Sequence, residues 1–320
     1  MKSKRPQFIS ILNKIKRLIF TELKENMQKK HHHKKKPSLF KKWTRKLHLW
    51  LGLGVGFLIF IISITGALYV FKDEIENFTR KDVIYHNEQN IEQKQVLPIR
   101  VLERAVVDQV KEKYPVHWVN IPIDKKMSYL FYWYEHNPKG WNYFDEFPIY
   151  KAAYVNPYNG KVLRTYDEKN GFFQIVKMIH WSYLLKQEWG TYLVGIPVII
   201  FVIMLISGII LWWPKNKAAR KQRFSFKWQN VKNWKRKNYD LHNILGFYAS
   251  IFALIFSLTG LFYAFFVVQA AFYFIFSGGK TAYPDFSSIK TKAPIELRTE
   301  GTLDKISNTV KAKYPDSYGF

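Results

Sequence analysis

Three stretches of this chain run without a charged residue for longer than a water-soluble domain tolerates: Leu49–Phe71 (23 residues), Trp189–Trp213 (25) and Asn243–Phe276 (34). A bilayer core about 30 Å thick is crossed by roughly 20 helical residues, so each run can span. Inside hydrocarbon every backbone N–H and C=O must find its partner within the segment, which makes an isolated apolar run a helix. The modest mean hydropathy of −0.21 arises because long polar segments dilute the three runs. The third run exceeds one straight crossing and is expected to continue past the interface. Trp50, Trp212 and Trp213 stand at run ends, where indole rings favour the headgroup layer.

The net charge of +26 admits two classes, a nucleic-acid binder or a membrane protein. Its distribution excludes nucleic acid, because the excess flanks the apolar runs. Residues 1–46 hold 16 Lys+Arg against 2 Asp+Glu, and 214–239 hold 10 against none, whereas 72–188 are nearly neutral at 17 against 16. By the positive-inside rule the first two segments are cytoplasmic and 72–188 external. The chain then divides into a basic cytoplasmic tail (1–46), transmembrane helix 1 (47–71), an external domain (72–188), transmembrane helix 2 (189–213), a basic cytoplasmic loop (214–239), transmembrane helix 3 (240–276) and the start of a second external domain (277–320). The tail lacks the apolar core and small-residue cleavage site of a signal peptide. Phe8 to Leu23 are expected to form a basic amphipathic helix on anionic lipid. His31–His33 lie within a lysine run and read as solvated tail.

An internal repeat organises the rest. Residues 47–71 align without gaps on 241–265 at an offset of 194, with 10 of 25 positions identical, among them Leu47, His48, Gly52, Thr65 and Gly66. VKEKYP (110–115) recurs as VKAKYP (310–315). A spanning helix followed by an external segment thus occurs twice. The second copy breaks off soon after its KYP, so the repeat leads us to expect a fourth span beyond Phe320. Within the first external segment, Val101–Tyr114 has helical apolar spacing. His117–Ile123 and Met127–Tyr134 alternate like strands, and Ala152–Val155 and Lys161–Thr165 flank the turn Asn156-Pro-Tyr-Asn-Gly160. The fold class is an α-helical membrane protein with a small α+β domain, a helix packed on an antiparallel sheet.

The repeat places His48 and His242 at the same depth, at the cytoplasmic mouths of the first and third runs. Their i+4 and i+8 positions are Gly52 and Gly56, and Gly246 and Ser250, which stack on one helix face. A histidine overlooking small residues, twice over, is what a planar macrocycle between helices requires: an imidazole for iron and no bulk beside it. The same pattern fits close helix packing with interfacial histidines. His180, just outside the second run, lies at the opposite membrane face and is the third candidate ligand for haem iron. His86, His117 and His136 are scattered over the external domain and read as surface or core residues.

Other chemistries find no support. Gly52-Leu-Gly-Val-Gly56 lies inside a span rather than after a strand, and P-loop, HExxH and GxSxG motifs are absent. Asp73, Glu74 and Glu76 have no second acidic cluster to work against, and no flavin or nicotinamide site is visible. With no cysteine the chain makes no disulfide, no thiolate metal site and no covalent c-type haem. Any haem is haem b, one or two per chain.

The strings WTRKLHLWLGLGVGFLIFIISITGALYVFKDEIE (43–76), GTYLVGIPVIIFVIMLISGIILWWPKN (190–216), YDLHNILGFYASIFALIFSLTGLFYAF (239–265) and VVDQVKEKYP (106–115) resemble the PepSY-associated transmembrane helix family, the iron-regulated membrane proteins. The resemblance covers about 43–320. It implies a multi-pass protein of the bacterial inner membrane with periplasmic PepSY modules. Some relatives are di-haem ferric-siderophore reductases, so it implies haem ligation by His48 and His242 on the cytoplasmic side and by His180 on the outer side. The ferric siderophore would be the substrate, with a quinol or a reductase as electron donor. A non-enzymatic reading also stands: an anchored PepSY module that binds peptide or restrains a secreted protease.

Overall fold

A computed structural model describes residues 16–17, 21, 38–214, 216–217, 220, 223–226, 228–229, 231–281 and 302–313. Helix α1 (Leu39–Val70) starts well before its apolar run, because the Ser38 hydroxyl caps it by accepting from the Lys41 amide at 3.3 Å. Its basic first turns leave Lys42, Arg45 and Lys46 exposed. The short helices α2 (Lys72–Thr79) and α3 (Lys81–Ile84) follow, then α4 (Ile99–Val110).

Strands β1 (Trp118–Asn120), β2 (Tyr129–Glu135), β3 (Ile149–Val155) and β4 (Val162–Asp167) form an antiparallel meander in sequence order, with a short helix α5 (Tyr143–Glu146) between β2 and β3. The β2–β3 register sets Phe131 opposite Ala153, so Phe131, Trp133, Ala153 and Val155 bury one face against Leu102 and Val106 of α4. The opposite face is aromatic. Trp118 stacks on Tyr132 at 4.8 Å and Tyr132 on Tyr150 at 6.1 Å, while Tyr154 packs on Val83 and Ile84 of α3. The turn between β3 and β4 closes through Asn156, whose side chain accepts from the Tyr158 amide, and Gly160 supplies the required positive φ of 72°. The expected helix on a small antiparallel sheet is what the chain forms.

Helix α6 (Phe172–Ser182) leads through a tight corner into α7 (Gln187–Trp212), and then come α8 (Trp234–Ala264), α9 (Phe266–Phe276) and α10 (Thr302–Lys313). Among the described residues, α1, α7 and α8 are long and apolar enough to cross a membrane. Helix α7 lies between the other two and packs on both. Phe57, Phe60, Phe252 and Phe256 point outward, where lipid covers them.

Two expectations need correction. The third run is not one helix over 240–276: the backbone becomes extended at Phe265, whose ring lies over Gly195 of α7 so closely that a Cβ there would stand 2.4 Å from it. Trp212 does not face the headgroup layer either. It is buried, stacked face to face on Phe247 at 3.7 Å, which joins α7 to α8, whereas Trp213 and Trp50 are exposed. The tail helix expected over Phe8–Leu23 lies outside the described residues except at Lys16, Arg17 and Thr21, which are helical, and His31–His33 lie outside them altogether.

Candidate functional site

The three spanning helices bring the repeated histidines together. Helices α1 and α8 flank α7, and near the end of the bundle that adjoins the basic loop the His48 and His242 rings stand 6.1 Å apart between centroids, tilted by 66°. His48 Nδ1 lies 2.9 Å from Ser207 Oγ. That hydroxyl already donates to the Met204 carbonyl at 2.9 Å, so it accepts from His48, the proton sits on Nδ1, and Nε2 carries the lone pair. Gly208, next to Ser207, lets the ring edge approach: a Cβ there would lie 3.1 Å from His48 Cε1.

The small residues divide into two groups. Gly52 faces α7, where an added Cβ would meet the Met204 methyl at 3.0 Å, and Ser250 is buried with its hydroxyl turned back to the Phe247 carbonyl. These two serve helix packing. A Cβ on Gly56 or Gly246 would meet nothing within 4 Å, so these two leave open space on their helices.

His180 lies elsewhere. It projects from α6 onto α1, and its Nδ1 is 2.9 Å from the Ile62 carbonyl and 3.4 Å from Thr65 Oγ1. A carbonyl only accepts, so the proton again sits on Nδ1 and Nε2 carries the lone pair. The ring's Cε1 edge lies against Gly66, where a Cβ would come within 2.9 Å of it. Ile62 is fourteen residues beyond His48 on the same helix, roughly 21 Å along its axis, so the two sites lie near opposite faces of a bilayer core.

Above His180 the α+β module meets the bundle through a charged junction. Arg80 of α2–α3 bonds Glu168 at 2.5 Å and Glu76 at 3.4 Å and lies 4.1 Å over the Tyr166 ring, while Lys72 bonds Glu76 at 2.7 Å and Asp73 at 3.3 Å. Burial raises the Tyr132 and Tyr150 hydroxyl pKa values, that of Tyr150 to about 12, so the aromatic face of the sheet stays uncharged. Lys177 of α6 is the exception to this pairing. Its ammonium lies 5.4 Å from the Trp181 ring centre, and its pKa is lowered, first by burial and then by Lys72.

Reading the sequence missed Ser207, Met204, Thr65 and Lys177. Ser207-Gly208 inside an apolar run and Thr65-Gly66 inside the repeat were the available signals. His86 is buried and satisfied by the Lys125 carbonyl and the Glu88 amide, and His136 bonds Glu146 at 3.3 Å, which gives both structural roles. Among the described residues no group of three or more His, Cys, Asp or Glu side chains is placed to hold a bare metal ion.

No curated protein matches the chain. The sequence does match the family described as the PepSY-associated TM region over residues 45–315, with the histidine-bearing helices and the α+β module all inside the matched range. The chain belongs to the family of PepSY-associated transmembrane proteins.

Proposed function

We propose that the chain is a haem-binding electron carrier of the bacterial inner membrane, passing electrons across the bilayer to a ferric chelate, a ferric siderophore above all, on the side of the α+β module. The basic loop and tail are cytoplasmic and the module periplasmic in this reading, supported by the charge asymmetry of the sequence. The observation that carries it is that His48 and His180, near opposite membrane faces, each have the Nδ1 proton committed and Nε2 left as the lone-pair nitrogen. That tautomer is the one an axial imidazole needs, its second nitrogen anchored so that the ring cannot turn.

The residues fit the group. Two imidazoles 6.1 Å apart suit one metal ion, at the ligand distances of roughly 2 Å that imidazole nitrogens keep. Gly56 and Gly246 leave their helix faces free of bulk nearby. Bound haem b, one or two per chain, supplies a one-electron Fe(III)/Fe(II) couple. His48 with His242 would hold iron on the loop side and His180 would hold it on the module side. Ser207 and the Ile62 carbonyl keep the rings in register, and the surrounding apolar side chains exclude water. Electrons enter from a quinol or a reductase partner.

Purified protein from haem-replete cells should show a low-spin b-type spectrum, reduced minus oxidised, with all haem extractable by acid acetone. His48→Ala and His242→Ala should each remove the loop-side share of that signal. Wild-type spectra in both variants would leave the anchored peptide-binding module as the better reading.

A further inference from the structure

At the junction between module and bundle the ion pairs leave one cation, Lys177, without a carboxylate partner among the described residues. Glu76 and Glu168 are both engaged by Arg80, Glu76 is shared with Lys72, and Asp73 faces solvent beside Lys72. Among the described residues no carboxylate stands within ion-pair distance of Lys177. Its neighbours are the Trp181 ring and the like charge of Lys72. A half-buried ammonium so placed loses hydration without gaining a counter-charge, a cost that a bound anion removes.

Lys177 is also three residues before His180 on α6, so the two share a helix face. His180 meets α1 at Ile62 to Gly66, and the charge felt at Lys177 is that of Lys72, six residues beyond Gly66. Progressing along α1 toward the module, the order is the turn that carries the His180 imidazole and then the ammonium of Lys72, with Lys177 one turn from His180 on α6. A ligand matched to that sequence has a metal centre, an apolar body and an acidic edge.

We propose that Lys177, with Lys72 beside it, binds the propionate carboxylates of a haem held at His180. The proposal rests on the reading of His180 given above and adds the polar half of that site. It assigns Lys177 as a binding residue for the carboxylates, not as a lipid-headgroup anchor.

Haem and its dimethyl ester, which lacks the two charges, separate these roles. The full chain carrying His48→Ala and His242→Ala is titrated with each, so that only the His180 site is loaded. Haem should bind at least about tenfold more tightly than the ester, which corresponds to about 1.4 kcal/mol. Lys177→Gln should abolish most of that preference by weakening haem alone, and Lys177→Arg should keep it. Lys72→Gln should reduce it further. In Lys177→Gln the midpoint potential of the bound haem should fall, because a positive charge near the iron favours the extra electron. Equal binding of haem and ester, or an undiminished preference in Lys177→Gln, overturns the assignment and leaves Lys177 to the headgroup layer while His180 remains a ligand. If neither compound binds, the His180 reading and the assignment fall together.

Discussion

Ser207 commits its hydroxyl proton to the Met204 carbonyl and therefore receives the Nδ1 proton of His48 instead of offering one. Ser207→Ala removes the acceptor that fixes this tautomer, so loop-side haem affinity should drop by roughly 10–100-fold, measured by haem titration, with the module-side site unaffected. Gly66 plays the matching part for His180. Gly66→Ala sets a methyl 2.9 Å from Cε1 and must push the ring off α1, so it should erase the module-side spectral component while the His48–His242 component persists. The histidines themselves were legible in the sequence, because the repeat set His48 and His242 at one depth and helical spacing marked their face. Their hydrogen-bond partners were not, since Ser207 and the Ile62 carbonyl reach them only through packing between helices, for which sequence spacing gives no register. For the same reason Gly52 and Gly56 looked equivalent, although one packs on Met204 and the other faces open space.

At the level of elements, the corner between α6 and α7 is tightly closed. It turns through Tyr183 and Leu184, both at positive φ, and a Cβ on Gly190 would lie 2.3 Å from the Ser182 Cβ and 2.5 Å from its carbonyl. Gly190→Ala must open this corner, and it should cost about 1–3 kcal/mol in thermal unfolding followed by tryptophan fluorescence. Gly54→Ala, where nothing lies within 4 Å, should be neutral or slightly stabilising in the same assay.

Within the module, Lys151 of β3 bonds Glu112 beyond the end of α4 at 2.6 Å and holds its carboxyl below the ordinary pKa. A carboxyl with a depressed folded pKa adds stability above its unfolded value, and that stability is lost as pH falls through the lowered one. Lys151→Met should therefore flatten the acid limb of the melting-temperature profile. Spans and strands were readable because hydrophobic periodicity is local. The break at Phe265 was not, because it depends on an aromatic ring seating over Gly195 of a different helix.

For the whole molecule, the repeat and the charge asymmetry set the plan among the described residues: three spans, a module between the first two and a basic loop between the second and third. Orientation is tested cleanly, because the wild type has no thiol background. With an impermeant maleimide on intact spheroplasts, a cysteine replacing exposed Lys139 should label and one replacing exposed Lys217 should not. The opposite pattern would put the module in the cytoplasm and rule out reduction of a periplasmic chelate.

The segments that follow the first and third spans, however, are not independent beads. Helix α4 has no capping side chain of its own at Pro98, and its first amide is instead held at 2.8 Å by Asp304 of α10, 205 residues downstream and beyond two further membrane crossings. During synthesis the leading end of α4 therefore stays bare until α7 and α8 have been made and Asp304 follows them. An assembly interrupted before that point leaves a module with a frayed helix end open to proteolysis. The late cap thus marks chains in which α7 and α8 are already in place.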